Sequence, residues 1–134
     1  MDLSIDKLLY RKGLMATQRQ VARFLEAFKR SMAEVGWLWV LNRERNRDGL
    51  IAIGITKKQR EEVIRSLSPE DYCEGPLPDE TQPGDVWVFG KHVEGTEVYI
   101  KLKLAKTEAP KCLSFHPAEH TLQYPFRKMK EGRT

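Results

Sequence analysis

The stretch Asp85–His116, DVWVFGKHVEGTEVYIKLKLAKTEAPKCLSFH, decides the fold. It contains two strand-like segments, Val86–Lys91 and Glu97–Ala105, joined by a turn at Val93-Glu94-Gly95-Thr96. The second segment alternates strictly. Val98, Ile100, Leu102 and Leu104 point one way, and Glu97, Tyr99, Lys101 and Lys103 point the other. Gly95 suits a turn position with positive φ, so the spacing predicts an antiparallel hairpin. A third strand, Lys111–Phe115, follows the break at Ala109-Pro110. One face of this sheet is apolar and needs a cover. The other carries a tyrosine and lysines, and is the place to look for chemistry.

Working towards the N-terminus, the cover is helical. Thr17-Gln18-Arg19-Gln20 reads as a capping box, opening a helix with Val21, Phe24, Leu25, Phe28, Met32 and Val35 on one stripe, closed by Gly36. Trp37–Leu41 has the aromatic and branched composition of a strand. Asn42–Asp48 is a charged turn, and Leu50–Ile55 fits a short helix or a strand, the helix being preferred for its flanking Asp48 and Gly54. Thr56-Lys57-Lys58-Gln59 is a second capping box, before a helix with Val63, Ile64 and Leu67 inside. Ser68-Pro69-Glu70-Asp71 starts a third, short helical piece with proline at its first position. Residues 74–84 are rich in proline and glycine and read as a loop. Helices first and an antiparallel sheet second predict an α+β fold, with N-terminal helices packed on a curved sheet. The predicted organisation is one domain over 1–134: a peripheral arm at 1–15, a core at 17–127 and a flexible basic tail at 128–134.

Composition narrows the partners. A chain of 134 residues, 40% hydrophobic and 31% charged, has the balance of a globular domain with one core. No run approaches 18 apolar residues and the N-terminus lacks a secretory pattern, so a cytoplasmic protein without a membrane partner is expected. Cys73 and Cys112 are far apart and form no C-x-x-C, which reads as reduced thiols. Net charge is +4, and from Lys101 onward eight basic residues face three acids. That basic end is compatible with an anionic partner or with a plain solvated surface.

Two patterns near the C-terminus carry chemistry. His116-Pro117-Ala118-Glu119-His120 matches H-x-x-E-H, a zinc signature that needs a helix and a third ligand; no matching helix with a spare acid is available, and no metal is expected. Metal-free acid–base chemistry fits better. His116 lies two residues beyond Ser114 and four beyond Cys112, which predicts one shared strand face. Pairing of that strand with Glu97–Ala105 would bring His116 to Tyr99 and Lys101. A proton-transfer group and a fixed cation beside one cleft are what RNA cleavage by 2′-hydroxyl attack requires. The plain reading is that Tyr99 and Lys101 are a solvated strand face.

The ordered series L-S-P-E-D-Y-C-E-G-P, W-V-F-G-K, G-T-E-V-Y-I-K-L, C-L-S-F-H-P-A-E-H and Y-P-F, over residues 48–127, resembles the MqsR-type toxins. These are small mRNA interferases of bacterial toxin–antitoxin systems with a RelE-like α+β fold. The resemblance implies an endoribonuclease that cuts single-stranded mRNA without a metal or other cofactor. It implies neutralisation by a cognate antitoxin protein, with operator DNA met only through the antitoxin complex. Tyr99 and Lys101 match the family's V-Y-L-K strand, whose tyrosine belongs to the active site. His116 stands where the family has a catalytic lysine, which puts a side chain of a type that titrates near neutral pH in place of a fixed cation. Glu74 replaces a functional lysine, and Val88 an active-site glutamine.

The catalytic expectation is therefore His116, Tyr99 and Lys101, with Lys103, His120, Arg127 and Tyr72 in contact with RNA. The alternative is a non-catalytic RNA- or protein-binding module on the same fold, which would bind RNA in a salt-sensitive way and leave it intact. A third reading is a toxin-like protein that acts only through a protein target or through the DNA-bound antitoxin complex.

Overall fold

The computed structural model describes residues 16–39, 54–105 and 109–127. The arm at 1–15, the charged turn at 42–48, residues 50–53 of the ambiguous segment and the tail at 128–134 lie outside the described residues.

Helix α1 spans Gln18–Val35. The Thr17 hydroxyl accepts from the Gln20 N–H at 3.0 Å, and the Gln20 side chain accepts from the Thr17 N–H at 2.8 Å. This is the predicted box, and it satisfies two amides that the first turn leaves without partners. Gly36, at φ 81°, ends the helix in a conformation that side chains disfavour. Val21, Leu25, Phe28 and Met32 are buried, but Val35, counted into the same stripe, is 66% exposed. At the helix's last residue the stripe has run past the surface that it covers. Leu38–Trp39 form β1. Helix α2, Lys57–Arg65, is opened by the equivalent Thr56–Gln59 box and buries Ile64. Leu67 is buried just beyond it. A short 3₁₀ turn, Pro69–Asp71, leads into the sheet.

The predicted loop at 74–84 needs correction. Tyr72–Pro78 is strand β2, paired antiparallel with β3 (Asp85–Val93), and only residues 79–84 connect the two. Its prolines and Gly75 hide it from a pattern search. They are tolerated because β2 is an edge strand, where a missing N–H can face away from the ladder. The register slips between Tyr72 and Glu74 and again between Glu74 and Leu77, so the inside–outside alternation is broken.

β3 and β4 (Thr96–Lys103) form the predicted hairpin. Glu94 at φ 52° and Gly95 at φ 80° make its two-residue turn, whose twist matches that of the strands. β5, Lys111–Pro117, pairs antiparallel with β4 and parallel with β1, so the sheet order is β1-β5-β4-β3-β2. Both helices contribute to one core with the sheet. Phe24 stacks on Trp87 at 4.6 Å, and Phe28, Ile64, Phe89, Val98, Ile100, Leu102 and Phe115 are fully buried around them. Each such side chain contributes about 1.5–3 kcal/mol on burial, more than any single cap, so this stripe rather than helix propensity fixes α1. The architecture is α+β. No helix among the described residues is long and apolar enough to cross a membrane.

Candidate functional site

The strand registers set out the sheet face turned away from the helices as a grid. One row runs Gly90–Tyr99–His116, the next Glu74–Val88–Lys101–Ser114. Tyr99 and His116 are directly opposed, and their rings stack at 5.2 Å with 15° between planes. His116 Nδ1 lies 2.9 Å from the Pro117 carbonyl oxygen. A carbonyl only accepts, so Nδ1 carries the proton in that bond and Nε2 is left for proton transfer. Lys101 Nζ is 6.0 Å from the Tyr99 ring centre, the outer limit of a cation–π contact. The structure therefore brings His116, Tyr99 and Lys101 together. His116 is only 5% exposed.

The other expected residues are elsewhere. Lys103 is on the same face but is buried, its Nζ 2.7 Å from Asp79 Oδ2 beneath the 79–84 connection. Arg127 reaches Asp71 at 3.4 Å and lies 3.8 Å over the Tyr124 ring. Asp71 also accepts from Lys91 at 3.2 Å and from the Ser68 N–H at 2.9 Å, so Arg127 closes a cluster that ties the C-terminal segment to the 3₁₀ turn. His120 is exposed on that segment. Tyr72 is in the core, stacked on Phe126 at 5.3 Å, its hydroxyl donating to the Gly75 carbonyl at 2.6 Å; burial raises it to about 12. Tyr72→Phe should cost about 1 kcal/mol in a urea titration, because its hydroxyl bonds the Gly75 carbonyl.

Cys112 departs from the predicted shared face. Ser114 pairs with Lys101 but Cys112 pairs with Leu102, so Leu113 is an extra residue that turns Cys112 into the core. Burial raises the thiols of both Cys112 and Cys73, to about 12 for Cys73, so neither is primed as a nucleophile. The zinc pattern also fails locally. His116 sits in a strand and residues 118–124 have no helix to align it with His120. Among the described residues, no three of His, Cys, Asp and Glu come together to hold a metal ion.

Two hollows flank Tyr99. One, about 430 Å³, is lined by Tyr99, Lys101, Leu77, Val86 and Leu113, with Pro78–Thr81 as its wall. The second, about 270 Å³, is lined by Tyr99, Val88, Cys73 and Glu74 beneath Thr121–Gln123. The second exists because residues 118–127 cross the sheet. The Ala118 N–H donates to the Glu97 carbonyl at 2.8 Å, and the Tyr124 hydroxyl donates to Glu97 Oε2 at 2.7 Å. Burial, then this bond, raises the Tyr124 hydroxyl. Gly90 makes room for the crossing, since a Cβ there would collide with Tyr124 and Leu122. Of the crossing segment the sequence singles out only His120 and Arg127; Thr121–Gln123, which line the hollow, and Asp79 are not among the expected site residues. Asp79 has a local signal, an aspartate two residues before a threonine at a turn.

No family model, curated protein or solved structure matches the chain.

Proposed function

We propose that the protein is a metal-free endoribonuclease that cuts single-stranded mRNA, on a fold like those of the RelE and MqsR toxins, and that a cognate antitoxin neutralises it in the cytoplasm. The observation that carries this is the Tyr99–His116–Lys101 cluster beside the 430 Å³ cleft. In this reading His116 Nε2 accepts the 2′-hydroxyl proton, and the 2′-oxygen attacks the adjacent phosphorus. The P–O5′ bond breaks, leaving a 2′,3′-cyclic phosphate and a 5′-oxygen that takes a proton from solvent water to become a 5′-hydroxyl. The proton held on His116 Nε2 passes to the hydroxide so formed. Lys101 offsets the charge that develops on the phosphorane, and Tyr99 holds the imidazole in place by stacking.

The burial of His116 favours the second reading, a binding module in which the histidine is a structural partner of Tyr99 and Pro117. One experiment separates them. Purified protein is incubated with a defined mRNA in EDTA, and ends are mapped by primer extension, with and without translating ribosomes. Discrete cuts ending in cyclic phosphate support the enzyme. RNA bound but intact under both conditions establishes the module.

A further inference from the structure

We infer that the hollow formed by Glu74, Val88, Tyr99 and Thr121–Gln123 reads a single nucleobase, and that Glu74 makes that base guanine. The inference rests on the RNA part of the proposed function and not on its catalytic part.

The size and position of the hollow argue for a base. At about 270 Å³ it lies just below the range of about 300–1,000 Å³ typical of small-molecule sites, so it suits one planar ring system. It shares Tyr99 with the cleft that holds Lys101, so a strand with its phosphate at Lys101 has a neighbouring base within reach. Glu74 and Lys101 stand in one row with Val88 between them, two strand spacings or about 10 Å apart. Val88 and Leu122 supply apolar lining, and Tyr99 an aromatic ring, as in other single-stranded RNA sites.

The polar groups select which base. A carboxylate presents two acceptor oxygens side by side and no donor. On the Watson–Crick edge, guanine alone offers two adjacent donors, N1–H and the N2 amino group. Adenine and cytosine each set a ring acceptor beside their amino group, and uracil flanks its one N–H with two carbonyls. All three would place an acceptor against Glu74. Gln123, on the rim, has an amide that can donate to guanine O6. A bidentate contact of this kind discriminates among bases by roughly 5- to 150-fold.

The probes are labelled single-stranded tetranucleotides, 2′-O-methylated throughout so that 2′-hydroxyl attack is blocked, carrying guanine, inosine or adenine among pyrimidines. Inosine keeps N1–H and O6 and lacks only the N2 amino group. Fluorescence anisotropy should show the wild-type protein binding the guanine probe about tenfold more tightly than the inosine probe, and adenine more weakly still. Glu74→Gln has the same shape but one acceptor, and should bind guanine and inosine within about twofold of each other; Glu74→Ala should do the same. Equal binding of guanine and inosine by the wild type overturns the inference, as does discrimination that survives both substitutions, or no binding of any probe. Cleavage of unmodified mRNA is read separately. Guanine selectivity without cleavage supports the base pocket while sinking the enzymatic reading, and cleavage without selectivity does the reverse.

Discussion

Asp79→Ala is expected to destabilise the protein by about 3–5 kcal/mol. The cause is its partner. Lys103 is 4% exposed at its side chain and donates to Asp79 Oδ2 at 2.7 Å, so deleting the carboxylate leaves an ammonium group buried without its counter-charge. The same carboxylate accepts from the Thr81 N–H at 3.0 Å and the Thr81 hydroxyl at 3.2 Å, which shapes the connection between β2 and β3. Against a typical total of about 5–15 kcal/mol, the loss is large enough to read directly from urea titrations. The double variant Asp79→Ala/Lys103→Met should recover much of it, because an apolar pair of suitable volume replaces a buried ion pair at little cost. A loss under 1 kcal/mol for Asp79→Ala would show that Lys103 reaches water or another partner, and that the 79–84 connection does not seal it.

The same pair sets an acid limit on stability. The Lys103 hydrogen bond first, then the Thr81 N–H, holds the Asp79 carboxyl well below the usual carboxylate range. A carboxyl with a lowered value in the folded state stabilises the fold fully above its unfolded value of about 3.9. That contribution falls away as pH drops below this value towards the folded one. Urea midpoints taken between pH 6 and pH 3 should therefore fall for the wild type, and fall less steeply for Asp79→Asn.

The hairpin and the two capped helices are legible from local pattern, because each rests on chemistry that neighbours in sequence supply. Strict alternation from Glu97 to Leu104 and a glycine at the turn define β3–β4, and reciprocal Thr–Gln boxes mark both helix starts. The meeting of Tyr99 with His116 is legible too, since an antiparallel return strand of that length puts them opposite each other. What local pattern does not carry is long-range. The extra residue at Leu113 turns Cys112 inward and has no local marker. β2 is a strand only because β3 pairs with it through two register slips, against the grain of its prolines. Lys103 looks solvent-facing by alternation and is buried because residues 79–84 fold over it. The second hollow is the plainest case. Its walls come from β2, β3, β4 and residues 121–123, which no window of the sequence brings together.

If the protein is the endoribonuclease proposed above, His116→Asn is expected to lower the rate of RNA cleavage by about 10²–10⁴-fold while leaving the fold nearly intact. The factor is the ordinary contribution of one positioned proton-transfer group. Asparagine can still place an N–H near the Pro117 carbonyl, where His116 Nδ1 now sits at 2.9 Å, but it has nothing that can take up a proton. His116→Ala should show the same kinetic loss with an added stability cost, because it also removes the ring stacked on Tyr99 at 5.2 Å and leaves a gap beneath it. Comparing the two separates chemistry from support. Equal kinetic losses with unequal urea midpoints assign His116 to proton transfer. If Asn cleaves as fast as wild type and only Ala is slow, the imidazole is a prop for Tyr99, and proton transfer must be reassigned to another group beside Lys101. Single-turnover measurement with protein in excess of RNA is the right readout, since product release is then outside the observed step.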